Sequence, residues 1–138
     1  MPDHINPERD AFKTFAVNKS DSPIHMFNLI KLNETATYDD GAMVTGKEAY
    51  AAYGRRSAPI FQRVGGSIIW SGKFDLTLIG PSDEVWDIAF IAEYPNSDAF
   101  IEMVKDAEYQ LAVKHRNAAV KTSRLIRMSP SEVGDSFG

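Results

Sequence analysis

An α+β fold, a four-stranded antiparallel sheet with its helices on one face, is predicted by three features of the sequence. The run Ile24–Leu32, IHMFNLIKL, is apolar nearly throughout and reads as a buried strand. A helical stretch from about Lys47 stops at Gly65-Gly66, and strand-like SIIWSGKFDLTLIG follows it. The alternating segment Val85–Tyr94 leads into two helical stretches and a last strand over about Lys121–Met128.

Each element has a local reason. A first helix is expected from about Pro7 to Asn18, with Asn6 as its cap and Pro7 in the first turn. Ala11, Phe12, Phe15 and Ala16 give it one apolar stripe. The polar stretch NETATYDDGAMVTG, residues 33–46, reads as an exposed loop. The next helix carries Ala49, Ala52 and Tyr53, and Pro59 should kink or restart it because proline lacks a backbone N–H. Gly80-Pro81-Ser82-Asp83 is a turn by composition. In the strand Val85–Tyr94, Trp86, Ile88, Phe90, Ala92 and Tyr94 make a face suited to covering by helices. Val85, Asp87, Ala89, Ile91 and Glu93 make the other face. Pro95 ends the strand and Asn96 caps a helix that buries Ala99, Phe100, Met103 and Val104. A further helix from about Ala107 buries Leu111, Ala112 and Val120.

The resulting order is strand, helix, strand, strand, helix, strand, the ferredoxin-like split βαβ arrangement, with an additional helix in front. Residues 1–138 read as a single domain with a core of about 24–128. Residues 1–23 form an N-terminal helical extension and 129–138 a flexible tail. Helices on one face leave the other face of the sheet to be hidden, and a homodimer with two sheets facing is one solution.

Composition removes several classes of function. The chain carries 15 basic and 19 acidic residues, a net charge of -4, with no basic stripe, so nucleic acid is not an expected partner. Cysteine is absent, which excludes disulfides, thiolate metal sites and a cysteine nucleophile. No apolar run approaches the roughly 20 residues of a membrane span, and no signal region precedes Phe12. The expected setting is cytoplasmic, with no membrane partner.

Candidate chemistry is sparse. GAMVTGKE, Gly41–Glu48, nearly spells a phosphate-binding loop, but Glu48 stands where a magnesium-holding Ser or Thr belongs, and no strand leads into Gly41. A flexible loop entering a helix is the simpler reading. His4, His25 and His115 have no partner at metal-ligand spacing, so no metal is expected. His115-Arg116 stands near a helix end, where positive charge offsets the helix dipole. Asp87 and Glu93 share the sheet face opposite the helices. In a partly apolar cleft such a carboxylate would have a raised pKa and could act as a general base. Asn28 would join them if its face of the first strand opens on the same cavity. The same acids could equally be held in ion pairs at a cleft rim or a dimer interface. Tyr50, Tyr53, Trp70, Trp86, Tyr94 and Tyr109 fit packing before they fit a ligand cage.

The string EAYAAYGRRSAPIFQRVGG, SIIWSGKFDLTLIG and IAEYPNSDAFIEMVKDAEYQLAVKHRNAA resembles the DUF1330 family of the dimeric α+β barrel superfamily. Gly65, Gly66, Glu93, Tyr94, Pro95, Ala99, Phe100, Tyr109, Gln110 and Arg116 carry the likeness, which spans about Ile24–Met128. Asn96 replaces a frequent Ser, and Met103-Val104 replace a frequent Trp-Tyr pair. The resemblance implies a homodimer with a small cleft in each protomer. It implies no cofactor: positions that hold haem in distant members fall at Met103 and Val113, with His115 displaced along the helix. The expected activity is binding or transforming a small, partly aromatic organic molecule. Asp87 or Glu93 would be the catalytic base, Asn28 and Arg116 would orient a polar group, Tyr53 and Trp70 would line the apolar side, and His115 would stand beside the site. The alternative is a non-enzymatic binding, structural or stress-associated dimer.

Overall fold

Short-range signals place ten elements along the chain: α1 (Arg9–Val17), β1 (Ile24–Leu32), β2 (Thr35–Thr37), β3 (Met43–Thr45), α2 (Gly46–Arg63), β4 (Ser67–Gly72), β5 (Ile88–Tyr94), α3 (Ser97–Lys105), α4 (Ala107–Ala119) and β6 (Val120–Met128). The computed structural model describes residues 3–137. β4, β5, β1 and β6 lie in that order in one sheet, and all three pairings are antiparallel. This is the ferredoxin-like α+β architecture expected from the sequence, with α1 added in front.

The helix caps follow their chemistry. The Thr45 hydroxyl accepts from Glu48 N at 3.1 Å, and Asn96 Oδ1 accepts from Ala99 N at 2.8 Å. Asp106 accepts from Glu108 N and Tyr109 N to start α4, while its other oxygen takes Arg63 at 2.8 Å. That ion pair joins the C-terminal end of α2 to the start of α4 and holds the Asp106 carboxyl below the usual carboxylate range.

Several boundaries differ from expectation. α2 runs through Pro59 without a break; Pro59 is exposed, so the carbonyl deprived of its partner can be hydrated. β5 begins at Ile88, and residues 73–87 form a loop with strongly exposed Leu78 and Ile79 (87% and 94%). The segment 33–46 is not merely a loop, because β2 and β3 pair as a hairpin there. α1 starts at Arg9, with Glu8 rather than Asn6 at its cap position. Leu111 is half-exposed, whereas Ala112 is fully buried and Tyr109 nearly so.

One buried cluster joins Ile24, Met26, Ala92 and Tyr94 of the sheet to Ile60, Phe100, Met103 and Tyr109 of the helices. Tyr94 is edge-on to Phe61 at 5.5 Å and tilted on Phe100 at 5.3 Å. Aromatic contacts of this kind contribute about 0.5–1.5 kcal/mol beyond area burial. A second cluster gathers Ile30, Ala36, Ala49, Ala119 and Val120 around the hairpin. α2 and α4 pack extensively on each other, and their apolar sides meet the sheet through Ile60, Tyr109, Ala49 and Ala119. Beside these contacts a space stays open between the helix pair and the sheet.

Candidate functional site: a roofed cavity between sheet and helices

A cavity of about 1550 Å³ fills that room. Its floor is the helix-facing side of the sheet: Met26 and Asn28 of β1, with Ile88, Phe90 and Ala92 of β5. α2 contributes Tyr50, Tyr53, Ser57 and Phe61, which recur at helical spacing and so share one side. α4 contributes Tyr109, Val113 and Arg116 by the same rule.

The N-terminal segment roofs this space on its own protomer. Ser123 N donates to the His4 carbonyl at 2.7 Å, and His4 N donates to Thr122 Oγ1 at 3.0 Å, which fixes the front of the segment to β6. At the rear, Ser97 N donates to the Ser20 carbonyl at 3.0 Å and Ser20 N to Ser97 Oγ at 2.8 Å. Between these anchors α1 has no buried residue, yet Phe12 and Phe15 turn onto the cavity. Phe15 rests on Phe100 at 5.0 Å, with the Arg127 guanidinium 4.8 Å from its ring centre.

Hydroxyl groups dominate the polar wall. Tyr53 and Tyr109 share a hydrogen bond at 2.8 Å, which uses one of their two hydroxyl hydrogens. The Tyr50 hydroxyl has no hydrogen-bond partner among the described residues. Burial pushes the Tyr50, Tyr94 and Tyr109 phenols above the usual tyrosine range, and Arg116 partly opposes this at Tyr50 and Tyr109. Arg116 itself donates to the Ile5 carbonyl and to Ser123 Oγ. Because the three phenols ionise less readily folded than unfolded, their contribution to stability is complete below about pH 10 and declines as pH rises above it. In an alkaline titration followed by phenolate absorbance, these three of the five tyrosines should ionise only as the ellipticity collapses. Reversible ionisation of all five in the folded protein would contradict the buried wall.

The residues singled out in the sequence divide between three places. Asn28, Tyr53 and Arg116 line the cavity. Asn28 does not join the carboxylates: it pairs with Phe90, while Glu93 pairs with His25 on the opposite side of the pleat. Trp70 does not join Tyr53 either. A β-bulge between Ile68 and Trp70 moves the strand out of phase, so Ile68 pairs with Ala92 but Trp70 with Ile91, and Trp70 lies 6.4 Å from Phe27 on the open face.

Glu93 Oε2 accepts from His25 Nε2 at 2.8 Å on that open face. Asp87 is exposed; its Oδ2 accepts from Leu32 N at 2.7 Å, where the β1–β6 register shifts. Neither carboxylate lines the cavity. His115 is likewise outside it, holding the Tyr38 hydroxyl at 2.7 Å and thereby tying the β2–β3 hairpin to α4. Burial, with Arg56 and Arg55 nearby, lowers the His115 pKa and favours the neutral ring that can accept this bond. Tyr50 and Tyr109 are the wall residues that the sequence reading left to packing. Their signal was present: hydroxyls recurring on the apolar side of a helix need partners that a dry core does not supply.

Gly46 explains the near-match to a phosphate loop. It is buried at the start of α2 with its N–H on the Glu34 carbonyl, and a Cβ there would lie 1.8 Å from the Asn33 carbonyl oxygen. The glycine serves a close backbone approach, and Thr45 and Glu34 already take N–H groups of that helix end. No cluster of three or more His, Asp or Glu that could hold a metal ion occurs among the described residues.

Comparison with known proteins decides the family. DUF1330, a domain of unknown function, matches residues 41–128. The chain belongs to the DUF1330 family. The family match leaves out α1 and β1, so the cavity roof and one floor strand lie beyond it. Both are shared with RPA0582, a protein of unknown function from Rhodopseudomonas palustris, which is 53% identical over 96% of this chain and 100% of its own, with a TM-score of 0.92. The methylated RPA0582 structure agrees at 53% identity and a TM-score of 0.95 over 98% and 100% of the two chains. SnoaB, a cofactor-independent oxygenase from Streptomyces nogalater, is 16% identical over 81% of this chain and 96% of its own, with a TM-score of 0.53. That likeness extends the fold beyond DUF1330 and carries no activity with it. No functionally curated protein matches this DUF1330 chain. No helix among its described residues is long and apolar enough to cross a membrane.

Proposed function

We propose that this DUF1330 protein binds a small, largely apolar organic molecule in the roofed cavity, without metal or nucleotide, and works as a homodimer. The observation that carries the reading is the cavity itself. A packed domain keeps few voids larger than a water molecule, yet here a cavity of about 1550 Å³ opens between the helices, α1 and the sheet. Aromatic rings line it, and Arg116 acts on the Tyr50 and Tyr109 hydroxyls in its wall. Asp87 and Glu93 face elsewhere, and the carboxylate that does line the cavity, Glu8, is exposed at the start of α1. Binding and orienting therefore suit it better than proton abstraction. The second copy would cover the open sheet face, where Phe27, Ile91, Trp70 and Ile126 present apolar surface.

The test uses a neutral fluorescent probe, N-phenyl-naphthylamine, whose emission rises in apolar surroundings. The wild-type protein should enhance it saturably. Ala58→Trp, which places an indole in the cavity from α2, should remove most of the enhancement while leaving the dimer intact. No enhancement, or enhancement that Ala58→Trp leaves undiminished, would overturn the reading.

A further inference from the structure

We propose that the cavity is built for an organic anion, a planar apolar body bearing one carboxylate, and that Arg116 is the residue that pairs with it. This rests on the cavity-binding reading above and adds the charge and the anchor.

Arg116 is half-buried in a mostly apolar wall and has no carboxylate within 4.0 Å among the described residues. Its protein partners are the Ile5 carbonyl and the Ser123 hydroxyl, both neutral. Two of five N–H donors are thus engaged, and three remain. A guanidinium partly withdrawn from water and lacking a counter-ion is costly to keep, and a bound carboxylate removes that cost. Two further arginines line the wall. Arg127 lies over Phe15, and Arg124 faces Glu84 and Trp86. Among the described residues the one carboxylate lining the cavity is Glu8, exposed at the start of α1. This cationic lining runs against the chain's net charge of -4.

The neutral groups beside Arg116 are also donors. The Tyr50 hydroxyl is unpartnered, and the Tyr53–Tyr109 pair has one hydroxyl hydrogen to spare. Both phenols next to Arg116 stay protonated to high pH, which keeps those hydrogens available. Phe12, Phe15, Phe61 and Phe90 line the rest of the space, which fits a flat hydrocarbon body. A neutral ligand would leave the guanidinium uncompensated, and a cationic one would be repelled.

Competition against bound N-phenyl-naphthylamine separates the possibilities, with naphthoate and its neutral isostere naphthamide as competitors. A charge-assisted pair should give naphthoate about a tenfold or larger advantage on the wild-type protein. Arg116→Gln should abolish that preference. Because Arg116 also secures the roof through Ile5, Tyr50→Phe is the companion variant; it removes a hydroxyl with no protein partner and should weaken naphthoate more than naphthamide. Equal displacement by the two competitors would overturn the anion assignment while leaving the cavity reading intact. Failure of both to displace a bound probe would also overturn it. If the probe itself does not bind, both readings fall.

Discussion

Ile126→Glu should leave the protomer folded and convert the proposed dimer into a monomer. Ile126 pairs with Phe27 across β1 and β6, on the sheet face that no helix covers. Trp70 and Phe27 touch on the same face, and Ile91 lies between them in register. Leu78 and Ile79, on the loop that enters β5, are nearly fully exposed in the single chain. So much unpaired apolar surface is rare on a monomer, whereas a standard interface needs about 800 Å² from each partner. A two-fold interface would hold two introduced glutamates, one from each protomer, and each unpaired carboxylate taken from water costs several kcal/mol. The protomer tolerates the change because Ile126 is already 49% exposed in it. Sedimentation velocity reads the mass and far-UV ellipticity the fold. A monomeric wild-type protein, or an Ile126→Glu protein that remains dimeric, would refute the interface.

Gly46→Ala should destabilise the protein by about 3 kcal/mol, lowering Tm by roughly 10 °C. The added methyl would meet the Asn33 carbonyl oxygen at 1.8 Å and its carbon at 2.9 Å, both backbone atoms. Asn33 cannot yield easily. Its N–H donates to the Ala119 carbonyl at 2.8 Å, and its side-chain amide donates to the Ala118 carbonyl at 3.1 Å, so it is fastened to the end of α4. Either α2 moves away from β1 or the junction of α4 with β6 opens. Gly54→Ala is the contrasting case. Nothing lies within 4 Å of its new Cβ, and in a helix interior the change should stabilise by about 0.5–1 kcal/mol. Thermal unfolding of the two variants beside the wild type checks both signs. A Gly46→Ala protein as stable as wild type would mean that the close approach is not needed.

Much of this fold was legible because its signals are local. IHMFNLIKL became β1 with the stated bounds, and Asn96 capped α3 as its side chain predicts. The alternation Ile88, Phe90, Ala92, Tyr94 faces the helices, since a strand's period of two is set by backbone geometry alone. The hairpin in 33–46 was not legible, because its pairing is short and is stabilised from outside by Ala36 in the core and by the Tyr38–His115 bond. Pro59 lacks a donor, as expected, but the helix does not restart there; whether such a gap interrupts a helix depends on access to water, which sequence does not state.

The candidate site divides along the same line. By itself the sequence determined which side chains are available, Asn28 within an apolar strand, tyrosines at helical spacing and an arginine near the end of α4, because residue type and period are local properties. Which of them meet was decided by the tertiary structure. Strand register set Asn28 apart from Glu93 and Asp87, a single bulge carried Trp70 to the other face, and the placing of α1, α2 and α4 over the sheet formed the cavity that Arg116 and the tyrosines share. Each of these depends on one element's position against another, and an alternation that is right in period can still be moved to the other face by a one-residue shift.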